Sequence, residues 1–340
     1  MRWAPIATKT LAITASILFV LAAITGTPST ASAQSLQPVS VIGFPGSGNW
    51  PIWVAQENGY FTRAGIEVTF TPTPNSVFQL TNLIEGKFDI GMTAFDNVVA
   101  YMEGQGEVPV STQPDLFVFM GGIPSMLALT VPAEIKTYQD LKGKTLAVDA
   151  ITTGFAFILF DLLKRNGLDP DSYRIESAGG TLARWQGLRD RKYAGALLST
   201  PFDLIAKENG FSVLQYAIDA YGHYQDPAAT TRRSWAAANE KKLDAYIKSY
   251  VAAVEWIRDP SNKEEAIAIL RKYLTQLTPE LAVATHAALT SSKGIAPKAR
   301  LDVAGIQKML ELRSEYGKPK KILTDPARYY DLKYYEAALR

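Results

Sequence analysis

Four short segments carry the residue types that could hold a polar solute. They are Gly46, Ser47, Gly48 and Asn49 followed by Trp50; Thr93, Phe95, Asp96 and Asn97; Asp149, Thr152, Thr153 and Phe155; and Ser199 and Thr200 before Pro201. Each follows an apolar run and precedes a helical pattern. The first turn of a helix has N–H groups without a partner inside the helix, and these can hold an anion or a polar group. Thr152 and Thr153 add hydroxyls suited to sulfonate or carboxylate oxygens. Trp50 offers an aromatic wall, and Phe155 could face it. Asp96 could accept hydrogen bonds from an amino group or serve only as a first-turn acid. Equally, Ser47 or Asn49 could cap a helix while Trp50 packs inside, and Phe155 could join Phe157 and Phe160 in a core.

Other chemistries find less support. The glycines of the first segment run G-x-x-G-x-G with no Lys-Ser or Lys-Thr pair, which fails both nucleotide-binding fingerprints. The chain has two histidines, His223 and His286, and no cysteine. That excludes a thiolate nucleophile and a cysteine-rich metal site, and no cofactor or metal is expected. A Ser, His and Asp triad remains open by composition, but no G-x-S-x-G elbow appears. Arg184 could grip an acid group bidentately, although an exposed arginine near Arg189 and Arg191 is the ordinary expectation. His223 reads as a surface residue.

The elements that position these residues come in two similar sets. The first predicts a strand over 39–44, a helix over 50–60, a strand over 66–70, a helix over 77–85 and a strand over 88–92. The second predicts a strand over 144–148, a helix over 152–164, a strand over 173–176, a helix over 182–190 and a strand over 195–198. The sets match in detail: GSGNW against DAITTGF, ENGYF against KRNGLD, and TAFDN against STPFD. Two α/β units whose strand-to-helix loops face each other would place those loops around one cleft. Beyond Gly222 the pattern turns helical, over 240–257, 263–274, 279–289 and 303–316. Val251, Val254 and Ile257 share a face that argues packing against a lobe.

Residues 1–33 show the three parts of an export signal: Arg2 and Lys9, an apolar stretch from Leu11 to Ile24, and the A-x-A site at Ala31, Ser32 and Ala33. Cleavage there would leave 33 basic against 33 acidic residues. A balance near zero gives no footprint for nucleic acid or an anionic membrane, so neither is expected as a partner.

With these residues in place, the chain resembles the NMT1/THI5-like substrate-binding proteins of ABC importers, the nitrate, sulfonate and taurine group that also includes binders of the thiamin pyrimidine precursor. The resemblance rests on WPIWVAQENGYFTRAGIEV, EGKFDIGMTAFDNVV, YQDLKGKTLAVDAITTGFAF, DLLKRNGLDPDSY, RDRKYAGALLSTPFDLIAKENGF and SYVAAVEWIRDPSNKEEAIAIL. It implies an α/β protein of the type II periplasmic-binding-protein fold, with two lobes joined by a two-segment hinge. The implied layout is a first lobe of 34–122 and 223–340 and a second of 123–222, crossing near Gly121 to Ser125 and Ala217 to Tyr224. Ile123, on the first crossing, joins the implied ligand set.

The implied work is capture of a small solute by a periplasmic monomer, for delivery to a permease and its ATPase, with no bond made or broken. A sulfonate or similar organic anion, an amino-pyrimidine, or a secreted enzyme on this fold are the three readings. Tyr193 and Ala194 depart from the family pattern, which has a short residue and then Asp. The cysteine-rich iron motif of the fungal thiamin-pyrimidine enzyme is absent.

Overall fold

The computed structural model describes residues 35–340 and the isolated positions 1 and 4. The expected export signal therefore lies outside the described stretch. Among the described residues, ten strands form two five-stranded sheets. The first sheet takes β1 (Gln37–Gly43), β2 (Ile66–Pro72), β3 (Ile90–Ala94) and β4 (Leu116–Gly121). The second takes β5 (Ala128–Pro132), β6 (Thr145–Val148), β7 (Arg174–Ser177), β8 (Gly195–Leu198) and β9 (Phe211–Tyr216). The chain then returns, and β10 (Pro227–Arg232) enters the first sheet.

Both sheets have one plan. The orders are β2-β1-β3-β10-β4 and β7-β6-β8-β5-β9. In each, three parallel strands are followed by an antiparallel one, β10 or β5, which is the strand that has just arrived from the other lobe. The crossings run between β4 and β5 and between β9 and β10. The expected α/β architecture with a two-segment connection is thus present.

Strand alternation explains the cores. Val39 and Val41 face one side of the first sheet with Phe117 and Phe119, under the helices Trp50–Glu57 and Glu240–Arg258. Leu116, Val118 and Ala228 face the other, under Ser76–Ile84 and Phe95–Met102. In the second sheet, Leu146 and Val148 pack with the helix Gly154–Arg165, while Ala147, Ala196 and Leu198 pack with Trp185. Side chains on successive strand positions point to opposite faces, so every inner strand is covered on both sides.

Two departures from the sequence reading have clear causes. The region beyond Gly222 is not purely helical, because PAATTR forms the strand β10. Its buried Thr230 and Thr231 hydroxyls donate to the carbonyls of Phe117 (2.8 Å) and Asp89 (2.6 Å), so polar residues meet no penalty there. The helix Val303–Tyr316 also bridges: Met309 and Leu310 pack in the first lobe, but Leu312 packs in the core of the second and Tyr316 stacks on Phe157. At the family departure, Tyr193 is buried, and its ring occupies the space that a Cβ on Gly187 would need. The bulky residue is accommodated because its neighbour is a glycine.

Candidate functional site

The loops at the carboxyl ends of β1, β3, β6 and β8 meet the two crossing segments around a cavity of about 90 Å³. Direct bonds span the cleft. Ser47 Oγ donates to the Thr200 carbonyl (2.6 Å), the Gly180 N–H to the Pro74 carbonyl (3.1 Å), and the Ser76 N–H to Asp149 Oδ2 (3.3 Å). The two loop sets are therefore in contact, and the lobes are closed on one another.

Most of the sequence candidates line this cavity: Gly46, Ser47, Gly48 and Asn49 from the first loop, Thr93 and Asn97 from the second, Ile123 from the crossing, and Asp149, Thr153, Phe155, Ser199 and Thr200 from the second lobe. Neither Ser47 nor Asn49 caps a helix with its side chain. Asn49 instead donates to the carbonyls of Phe44 (2.7 Å) and Gly46 (3.2 Å) and fixes the loop's shape. Asn97 donates to Thr93 Oγ1 (3.0 Å), so those two are partly committed to each other. Thr153 accepts the Ala156 N–H as the cap of its helix.

Four candidates do not line the cavity. Trp50 is fully buried in the first lobe, where its indole N–H donates to the Ala266 carbonyl (3.1 Å) and its ring meets His286 edge-on. A buried indole needs a partner for its N–H, and the helical layer supplies one. Phe95 is also fully buried, on the Leu80 and Val98 side of the first sheet. Asp96 is held by Arg313, which donates Nε to Oδ1 (2.6 Å) and Nη2 to Oδ2 (2.5 Å). Thr152 turns away as well: its hydroxyl and N–H donate to Glu107 (2.6 and 3.2 Å), and its carbonyl accepts from Arg313 (2.7 Å). Asp96, Arg313, Glu107 and Thr152 form a clasp between the lobes rather than a cavity wall.

Arg184 is the largest correction. Instead of lying exposed it is 1% exposed, lines the cavity, and stacks its guanidinium 6.0 Å from the Phe155 ring centroid. Nη2 donates to Thr181 Oγ1 (2.8 Å), which also accepts from Ser199 (3.1 Å), while Nε has no partner. Burial pulls its pKa below the usual arginine value, and the nearby Asp149 and Asp226 oppose that shift. The helix Thr181–Arg189 points Arg184 inward because Leu188, one turn on, shares its buried face.

Asp226, on the second crossing, was not legible as a site residue: nothing in its sequence neighbourhood marks it. It is 6% exposed, its Oδ1 has no partner, and Ser125 offers it hydrogen bonds from side chain and backbone. Burial pushes its pKa up from 3.8 to about 7, against the pull of Ser125 and Arg184. The native state then keeps a proton that the unfolded chain releases above about pH 4. This group's contribution to stability should therefore fall as pH rises from about 4 through about 7, by up to about 4 kcal/mol. Asp226→Asn should remove that slope, which melting temperatures between pH 4.5 and 8 would reveal; an unchanged slope would refute the assignment.

Among the described residues no group of acids and histidines could hold a metal ion, and no helix is long and apolar enough to cross a membrane.

Comparison with known proteins gives a consistent fold. The nitrate-binding protein NrtA of Synechocystis PCC 6803 superposes with a TM-score of 0.75 at 12% identity, over 89% of this chain and 88% of that one. The alkanesulfonate-binding protein SsuA of Xanthomonas axonopodis pv. citri, bound to MOPS, gives 0.66 at 15% identity, over 83% and 93%. A Candida albicans protein described as having the generic periplasmic binding protein fold gives 0.59 at 13% identity, over 85% and 99%. No curated protein sequence matches significantly. The NMT1/THI5-like family model matches residues 48–263, well over half of the chain. The two-lobed fold, its central cavity and that match agree, and the chain belongs to the NMT1/THI5-like family.

Proposed function

We propose that this protein is the periplasmic solute-binding component of an ABC import system, capturing a small organic acid such as a sulfonate between its lobes and presenting it to a permease. The observation that carries this reading is Arg184: a buried cation whose Nε–H has no partner, lining a cavity between two lobes joined by two crossings. A buried unpaired donor is costly, so the site is built for a partner the chain itself does not supply. Closure about such crossings is a hinge motion. The work is binding, with no bond broken. The proteins that share the fold include binders of nitrate and alkanesulfonate, which supports this class of solute.

An amino-pyrimidine is the second reading. Asp149 and Asp226 favour it, since each offers an unpartnered oxygen to ring or exocyclic N–H groups, and Phe44 and Phe155 flank the same space. Thermal-shift screening of the mature protein against small sulfonates and carboxylates, and against amino-pyrimidines, separates the two. A screen in which neither class raises the melting temperature would count against both. Arg184→Met is expected to weaken binding of an organic acid about tenfold to a hundredfold, the usual worth of a hydrogen bond to a charged group, as measured by calorimetry. An unchanged affinity would remove Arg184 from the site.

A further inference from the structure

Three buried polar atoms without a partner converge on one cavity: Arg184 Nε, Asp149 Oδ1 and Asp226 Oδ1. Their residues are 1%, 7% and 6% exposed, so water in the bulk does not satisfy them. These are the charged side chains among the described residues lining the cavity, one basic and two acidic. A plain anion would meet Arg184 but leave both carboxylates facing added negative charge. A plain cation would leave Arg184 unpaired. A solute that pairs all three must accept at one end and donate at the other.

Resting on the capture reading above, we propose that the solute is a zwitterion, its acid group held by Arg184 and a protonated amine or amidine held between Asp149 and Asp226. The rest of the site fits such a molecule. The unpartnered donor and the two unpartnered acceptors line one cavity of about 90 Å³. Ile123, Met92 and Phe155 supply apolar contact for a short carbon spacer.

The charge arrangement also sets the direction of proton movement. Asp226 shares the cavity lining with Arg184 and Asp149; the charges of Arg184 and Asp96 act on it, and Tyr224 and Arg313 belong to the same group of interacting side chains. Its pKa of about 7 leaves it partly protonated near neutrality. A cationic nitrogen placed against it favours the carboxylate and expels the proton, whereas a plain anion raises the pKa further and takes a proton up. The two solute types therefore differ in the sign of proton exchange as well as in affinity.

The test is calorimetry at pH 7 with the mature protein in two buffers of different ionisation enthalpy. The probes are 2-aminoethanesulfonate, β-alanine and guanidinoacetate as zwitterions, ethanesulfonate and propionate as anions, ethylamine as the cation, and 4-amino-2-methylpyrimidine as the neutral heterocycle. The expected result is that at least one zwitterion binds tenfold or more tightly than every other class and releases protons, and that Asp226→Asn removes the release. Native circular dichroism and a cooperative melt show that this variant is folded. Equal or tighter binding of a plain anion, with proton uptake, overturns the zwitterion while leaving capture of an organic acid standing. Tightest binding of the heterocycle overturns both the zwitterion and the organic acid. Binding of none of the probes overturns the zwitterion. If native mass spectrometry of the exported protein then shows no bound small molecule, the capture reading falls with it.

Discussion

Replacing Gly154 by alanine is expected to lower solute affinity by at least about tenfold while leaving both lobes folded. Gly154 opens the helix Gly154–Arg165 at the point where the second lobe meets the first. A Cβ there would lie 2.6 Å from Asp96 Cγ, 2.7 Å from Asp96 Cβ and 2.8 Å from the Tyr224 hydroxyl. Asp96 cannot swing aside, because Arg313 holds both of its oxygens. The added methyl group must then hold the lobes apart. Alanine is a better helix former than glycine by about 1 kcal/mol, so a loss of affinity could not be blamed on a weakened helix. Small-angle scattering should report a larger radius of gyration in the presence of solute. An unchanged affinity with an unchanged radius would show that the contact yields.

Arg313→Met is expected to destabilise the protein by about 3–5 kcal/mol, the usual cost of stranding one partner of a buried ion pair. Both side chains of the pair are at most 1% exposed, and Arg313 also donates to Gln105 (3.3 Å) and to the Thr152 carbonyl of the other lobe. Removing the cation leaves the Asp96 carboxylate in a dry setting beside Phe157, over whose ring the guanidinium now lies at 4.8 Å. The double variant Asp96→Asn with Arg313→Met should recover much of the loss, since replacing both partners of a buried pair is often close to neutral. Urea unfolding of the two variants measures this. A single-variant cost under about 1 kcal/mol would mean that the pair contributes as little as an exposed one.

The architecture could be read from the sequence because its signals are local. Alternation of Val39, Val41 and their neighbours, helix stops at Asn58 and Gly59 or Asn166 and Gly167, and the duplicated order of elements each depend on a few adjacent residues. Helix bounds such as Pro279–Leu289 and Val303–Tyr316 follow from the same local periodicity. β10 escaped because PAATTR has neither strong alternation nor β-branched bulk at its start, and only its place between β3 and β4 makes it a strand.

The cavity was legible at the level of loops and not of side chains. Helix starts name the segments, but the direction of Trp50, Phe95 and Thr152 depends on what lies behind them. Trp50 finds its partner 216 residues away and Asp96 finds its own 217 away. Asp226 and Arg184 were missed or misjudged for the same reason. A charged residue is ordinarily exposed, and only the closing of two lobes around it makes it otherwise.

The exchange of strands between the sheets has a consequence for the order of assembly. β4 does not touch β3; the strand between them is β10, which lies more than a hundred residues further along. Until residues 227–232 have emerged, the first sheet lacks the strand that joins β3 to β4, and its two sides share no ladder. A nascent chain of even two thirds length thus carries a complete second lobe's strands and an unfinished first lobe. Such long-range pairing slows folding.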